Sequence, residues 1–178
     1  MLIVLAGLPG VGKSTLAQAL AKRLDAFVLD KDSIRDAIFP ASEVDYSDPQ
    51  NALATDVVYM VAGYILERRP DTRLILDGKP FSQEAQRMAA RGLAVRTGSD
   101  FRLIHCVAPD DLVRQRLEEE SARNPQNAAA DRTFAKYLRI KEIFEPITMP
   151  HLVVDTAHSL KDEVEVCARY VMQPVDQS

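Results

Sequence analysis

The chain has 178 residues, 47% of them hydrophobic, and a formal charge of −4 from 22 basic and 26 acidic side chains. That is apolar material for one core and one domain, 1–178, and its unbroken apolar runs fall far short of the roughly 20 residues of a membrane-spanning helix. The acidic balance argues against a broad basic face for duplex nucleic acid, while leaving room for a local pocket of arginines.

In chain order, five short aliphatic and β-branched runs, 2–6, 26–29, 73–76, 101–107 and 151–155, alternate with longer helix-like stretches. The first belongs to MLIVLAGLPG, which lacks a basic leader and a small-residue cleavage site and therefore reads as strand, not signal peptide. Leu16, Leu20 and Leu24 recur at helical spacing after it, as do Val57, Val61 and Ile65 within a second helix across 51–68, closed by Arg69-Pro70-Asp71. Ala108-Pro109-Asp110-Asp111 opens another helix with a proline and an acidic first turn. Residues 121–131 are polar and aperiodic and read as a mobile loop between two helices, and 173–178 as a frayed tail. This alternation predicts βαβ units around a buried parallel sheet, an α/β fold. Cys106 and Cys167 lie far apart without metal-ligand spacing, so neither a disulfide framework nor a metal site is expected and a reducing cytoplasm fits; Cys106, inside an apolar strand, reads as an inert thiol.

Residues Gly7-Leu8-Pro9-Gly10-Val11-Gly12-Lys13-Ser14 satisfy G-x-x-x-x-G-K-[ST] between an apolar strand and an amphipathic helix, and together with Thr15 they are the candidate nucleotide-binding residues. Gly7, Gly10 and Gly12 permit the tight turn that lets backbone amides approach a phosphate, and the helix N-terminus adds partial positive charge. Lys13 then reaches the terminal phosphates of a nucleotide, and the Ser14 hydroxyl suits Mg²⁺.

The run AGLPGVGKSTLAQALAKRL resembles the P-loop kinases of small substrates, a group that includes adenylate kinase-like, gluconate kinase-like, chloramphenicol phosphotransferase-like and polynucleotide 5′-kinase-like enzymes and predicted kinases of the AAA type. The element order carries the resemblance over nearly the whole chain, with the P-loop as its specific part. It implies a P-loop NTPase three-layer sandwich with a five-stranded parallel sheet, a short helical lid at about 114–136, ATP and Mg²⁺ as cofactors, and transfer of the γ-phosphoryl group to an acceptor bound beyond the second strand. Ring-forming ATPase motors need a sensor arginine and a helical lid domain, for which this chain has little room.

At the end of the second strand, two carboxylates, Asp30 and Asp32, and Arg35 emerge at the sheet edge where open α/β folds bind ligands. A hydroxyl acceptor needs a carboxylate to accept its proton and an arginine to hold anionic groups. Asp32 with Arg35 is similar to the aspartate and arginine after the second strand of polynucleotide kinase-like enzymes, which implies that Asp32 is the base. Asp30 is the reserve candidate, and Asp32 could instead cap a helix beginning at Ser33. The third strand ends in Asp77-Gly78, which places Asp77 where a Walker B-type carboxylate would organise Mg²⁺. The continuation Lys79-Pro80-Phe81 resembles the DGFPR segment of nucleoside monophosphate kinases, but Phe81 stands in place of the phosphate-binding arginine, which weakens a monophosphate acceptor; Lys79 could supply a replacement charge.

In the lid of the resembling enzymes arginines close over ATP, and Arg116 and Arg123 are the candidates here, with Arg116 also at the nucleotide, Arg114 and Arg132 as further members. Residues 110–145 hold eight acidic and seven basic side chains, so most of these charges must simply be solvated or paired. The loop after the last strand packs against adenine in those enzymes. His105, His151 and His158 have no acidic partner at a recognisable spacing and read as core or surface residues. Asp45, Tyr46, Ser47 and Asp48, within the turn-rich stretch 38–53, are expected to wall the acceptor pocket, their acidic lean disfavouring a polyanion. The sequence thus points to a small-molecule hydroxyl acceptor, no membrane, and an open oligomeric state. A polynucleotide 5′-hydroxyl kinase and a nucleotide-binding regulatory module are the rivals, the former lacking a basic or aromatic track with 6% aromatics and no tryptophan.

Overall fold

Five parallel strands form one sheet in the order β2-β3-β1-β4-β5, with β1 Leu2–Ala6, β2 Phe27–Asp30, β3 Leu74–Asp77, β4 Phe101–Val107 and β5 Leu152–Asp155. The computed structural model describes residues 1–123 and 133–174; residues 121–123 of the predicted loop are helical, while the rest of that loop, Arg132 and the end of the tail lie outside the described residues. Side chains alternate across a strand, so β1 feeds two cores at once. Ile3 and Leu5 pack with α1 (Lys13–Leu24), α5 (Asp110–Arg123), α6 (Phe134–Glu142) and α7 (Leu160–Met172). Leu2 and Val4 pack with α3 (Asp48–Arg68) and α4 (Glu84–Arg96), which completes the expected three-layer sandwich. The sheet is not buried throughout, because its edge strands expose one face: Phe27 is 53% and Val153 54% accessible.

The expected strands all form, with limits shifted by one residue at β2 and β3 and a start one residue later at β5, and Asp30 and Asp77 are the last residues of paired strands and lie directly opposite each other. In α1 the predicted stripe Leu16, Leu20 and Leu24 is buried. In α3 the buried stripe is Ala54, Val58, Ala62 and Leu66, whereas Val61 of the predicted stripe is 36% exposed. That helix is apolar around most of its circumference, so periodicity could not choose its face. It also starts earlier than expected, where the Ser47 hydroxyl accepts from the Gln50 N–H and Pro49 occupies the first turn, a cap worth about 1 kcal/mol.

The strand order reverses at β1, flanked by β3 and β4, so the loop after β1 opens at the topological switch point of the sheet. Two helices that follow β4, α5 and α6, lie over that loop. They are joined by Asp110, whose carboxylate accepts from the Tyr137 hydroxyl at 2.6 Å and from Lys141 Nζ at 2.6 and 2.7 Å.

Candidate active site

The loop between β1 and α1 has the backbone the motif demands. Gly7 has φ +143°, and a Cβ there would lie 2.4 Å from the Cys106 carbonyl oxygen; Gly12, at φ +89°, begins α1 without a side-chain cap. Its amides therefore stay available to an anion. Pro9, Gly10, Gly12, Lys13, Ser14 and Thr15 line a cavity of about 940 Å³. Gly7, Leu8 and Val11 of the expected phosphate loop do not line it. Gly7 donates its N–H to Pro80 at 2.9 Å, Val11 belongs to the core at 2% exposure, and the Leu8 carbonyl accepts from Lys13 Nζ at 2.8 Å. Lys13 is thus folded back on its own loop, in the orientation that brings its ammonium over the cradle.

Opposite the phosphate loop stands the start of α2 (Lys31–Ile38). Asp30, not Asp32, caps this helix, its Oδ1 accepting from the Ser33 N–H at 2.6 Å, so the helix begins two residues before the expected start. Asp32, in the first turn, lines the cavity. Its Oδ1 accepts from Arg35 Nη2 at 2.6 Å and lies 3.2 Å from Lys31 Nζ. Arg35 was expected to hold anionic groups of the acceptor, but its side chain has no exposed surface and does not line the cavity. It stacks over the Tyr46 ring at 4.7 Å and also donates to Asn51 Oδ1 at 2.7 Å, which in turn accepts from Lys31 Nζ at 2.7 Å. Burial holds the Lys31 ammonium below the usual lysine range, with Asp32 partly offsetting it.

Asp77 is 2% exposed and lines the same cavity as Ser14; its Oδ1 is buried with no hydrogen-bond partner among the described residues. A buried carboxylate oxygen without a donor is costly unless a cation faces it. The pair Ser14 and Asp77 therefore fits Mg²⁺, which takes one or two protein oxygens and completes its shell with phosphate and water. Gly78 follows at φ +82°, and a Cβ there would stand 2.8 Å from the Lys31 nitrogen, so the ends of β2 and β3 are in direct backbone contact. Lys79 and Ser82 continue along the cavity wall, while Phe81, with φ +50°, turns into the core at 2% exposure.

Of the lid residues, Arg116 is placed most firmly, donating to the Thr156 hydroxyl at 3.2 Å and to the Thr156 carbonyl at 2.7 Å from the cavity wall beside Gly12. Arg123 reaches the cavity rim, with its side chain 76% exposed and paired to Glu119 at 3.2 Å. Arg114 does not join them, because its guanidinium stacks on Phe134 at 3.9 Å. Lys136, on α6, lines the cavity instead. Its ammonium is held below the usual range by burial and by Lys31. His158 also lines the cavity and, against the sequence expectation, has an acidic partner, Asp155, at 3.8 Å.

The stretch 38–53 contributes differently from its expected role. Asp45, Tyr46 and Ser47 do not line the cavity; Asp45 accepts from the Ser47 N–H and Gln50 Oε1 accepts from the Asp45 and Tyr46 N–H groups, closing the segment on itself. Asp48, Asn51, Ala52 and Thr55, on the first turns of α3, form the wall. Asn51, Thr55, Lys31, Lys136 and Thr156 were not singled out by sequence reasoning. For Asn51 and Thr55 a signal existed: two polar residues four apart, which a helix places on one face.

A switch-point phosphate loop, a buried strand-end carboxylate and a second carboxylate, all lining one cavity, define the P-loop kinase fold, an architecture for nucleotide-dependent phosphotransfer. The chain belongs to the AAA domain family, which matches residues 2–147. Among solved structures it is similar to a protein named as a kinase from Chloroflexus aurantiacus J-10-fl, with 26% identity, a TM-score of 0.75 and coverage of 97% of this chain and 98% of that one. It is also similar to the APS kinase CysC of Mycobacterium tuberculosis, solved with AMPPNP and APS, at 20% identity and TM-score 0.67 over 97% of both chains. A gluconokinase from Sinorhizobium meliloti 1021 follows at 14% identity and TM-score 0.61 over 95% of this chain and 94% of that one. No curated protein matches the sequence. No helix among the described residues is long and apolar enough to cross a membrane.

Proposed function

We propose that the protein is an ATP- and Mg²⁺-dependent phosphotransferase acting on a hydroxyl of a small molecule. The observation that carries this reading is that Lys13 and Ser14 on one wall and Asp32 on another line one cavity, large enough for a nucleotide and a small acceptor together. In this reading Asp32 orients the acceptor O–H and takes its proton as the oxygen attacks the γ-phosphorus, and ADP leaves with the bond's electron pair. Lys31 and Arg35 hold the carboxylate in one orientation through the contacts at 3.2 and 2.6 Å. Lys13 and Arg116 place positive charge along the phosphates, and Arg123 joins them from the rim. Ser14 and Asp77 would hold Mg²⁺, which when bound neutralises charge on the β- and γ-phosphate oxygens.

The reading is tested by Asp32→Asn. Metabolite pools incubated with ATP are first searched for a mass gain of one phosphoryl group to find the acceptor. Transfer to that acceptor should fall about 10²- to 10⁴-fold in the variant while ATP binding is retained. Unchanged transfer refutes the assignment of the base, and retained nucleotide binding with no phosphorylated product from any pool refutes the kinase reading itself.

A further inference from the structure

Three lysines converge on the acceptor end of the cavity from three different elements: Lys31 at the start of α2, Lys79 just beyond β3 and Lys136 on α6. The β2–β3 register sets Asp30 opposite Asp77, and the contact of Gly78 with the Lys31 backbone makes the chain leave both strands side by side, so the Lys31 and Lys79 side chains emerge as neighbours. Lys31 is accounted for by Asp32 and Asn51. Lys79 is not. It is half-buried, it feels the Lys31 charge, and among the described residues it makes no hydrogen bond or ion pair; Asp56, the carboxylate closest in effect, is exposed and not in salt-bridge contact. Next to it the Tyr59 hydroxyl is buried without a partner, in a small recess lined by Lys31, Thr55, Tyr59, Asp77 and Lys79. A half-buried ammonium beside a second one is unfavourable unless an anion completes the group. Of the carboxylates on this side of the cavity, Asp32 is committed to Lys31 and Arg35, and Asp77, which lines the same recess, forms no ion pair with Lys79 among the described residues.

We infer, on the reading that the cavity hosts phosphoryl transfer to a hydroxyl, that the acceptor carries an anionic group of its own, a phosphate or sulfate ester or a carboxylate, and that Lys79 together with Lys31 is the subsite that binds it. The disposition gives the acceptor two anchors: its hydroxyl at Asp32 and its anion at Lys79, one residue beyond Gly78. A neutral polyol of the same size would leave Lys79 without a counter-charge and forfeit the stronger, charge-assisted hydrogen bonds. The acidic loop residues that argued against an anionic acceptor do not face this space, apart from Asp48.

The test separates the subsite from the chemistry. With the nucleotide site saturated by Mg²⁺ and a non-hydrolysable ATP analogue, inorganic phosphate, sulfate and acetate are titrated separately by calorimetry into the wild type, Lys79→Gln and Lys79→Arg. At least one anion should bind the wild type. Its affinity should fall about tenfold or more in Lys79→Gln and stay within about threefold in Lys79→Arg, and the anion preferred identifies the ester or the carboxylate. Absence of anion binding to the wild type, or equal binding by Lys79→Gln, overturns the inference. In parallel, hydroxyl compounds with and without an anionic group are offered with ATP. Transfer confined to neutral compounds also overturns the subsite while leaving the kinase reading standing. If no compound of either set is phosphorylated, the kinase reading fails and the calorimetry alone decides the anion subsite.

Discussion

Arg35 and Asp32 are joined at 2.6 Å by a guanidinium that has no exposed surface, and the same nitrogen reaches Asn51 at 2.7 Å. The arginine therefore acts behind the cavity and not in it: it fixes the carboxylate that faces the acceptor and ties α2 to α3. Replacing it by methionine keeps most of the volume and removes the clamp. Arg35→Met should lower stability by about 2–4 kcal/mol and reduce kcat with little change in KM for ATP. Urea denaturation and steady-state kinetics read the two effects, and Arg35→Lys should recover stability better than kcat, because a single ammonium cannot reproduce the fork.

Asp77→Asn removes charge from a buried oxygen that has no donor among the described residues. The fold should lose nothing and gain up to about 1 kcal/mol, while the Mg²⁺ concentration needed for half-maximal activity rises by an order of magnitude or more. A variant that is equally active at low Mg²⁺ would remove Asp77 from the metal site.

At Gly7 a methyl group would meet the Cys106 carbonyl at 2.4 Å in a backbone conformation that side chains rarely adopt. Gly7→Ala should destabilise the protein by about 2–4 kcal/mol by displacing the phosphate loop from β4. Both cysteines are buried, and burial pushes each thiol up to about 12, so the native protein should take up no thiol reagent at pH 8 and two equivalents in denaturant. In Gly7→Ala the label at Cys106 should appear first.

The contact between α5 and α6 gives the acid limb of stability a local component. Lys141 and then Tyr137 donate to Asp110 and hold its carboxyl below the usual carboxylate range. The folded value is lower than the unfolded one, so the stabilisation is fully present above the ordinary carboxylate range and is lost as pH falls through the folded value. The pair is half-exposed, so the effect is small and screened by salt. Thermal melting of Asp110→Asn should start slightly lower than the wild type at neutral pH and fall less steeply on acidification; parallel curves would assign the acid loss to other carboxylates.

Local chemistry determined much of this protein. The alternation of apolar strands and helices, the spacing Gly7 to Ser14, and the positions of Asp32 just beyond the second strand and Asp77 at the end of the third could be read from the sequence because each depends on residues adjacent in the chain. Only the tertiary structure decided which carboxylate caps α2, that Arg35 lies behind Asp32 and not before the acceptor, and that α3 turns Ala54 and Val58 inward while Asn51 and Thr55 face the cavity. It also brought Lys31, Lys79 and Lys136 together from three separate elements. Such convergence has no period and no motif. It depends on the register of β2 against β3 and on the seating of α6, which bring three lysines distant in the chain to the lining of one cavity.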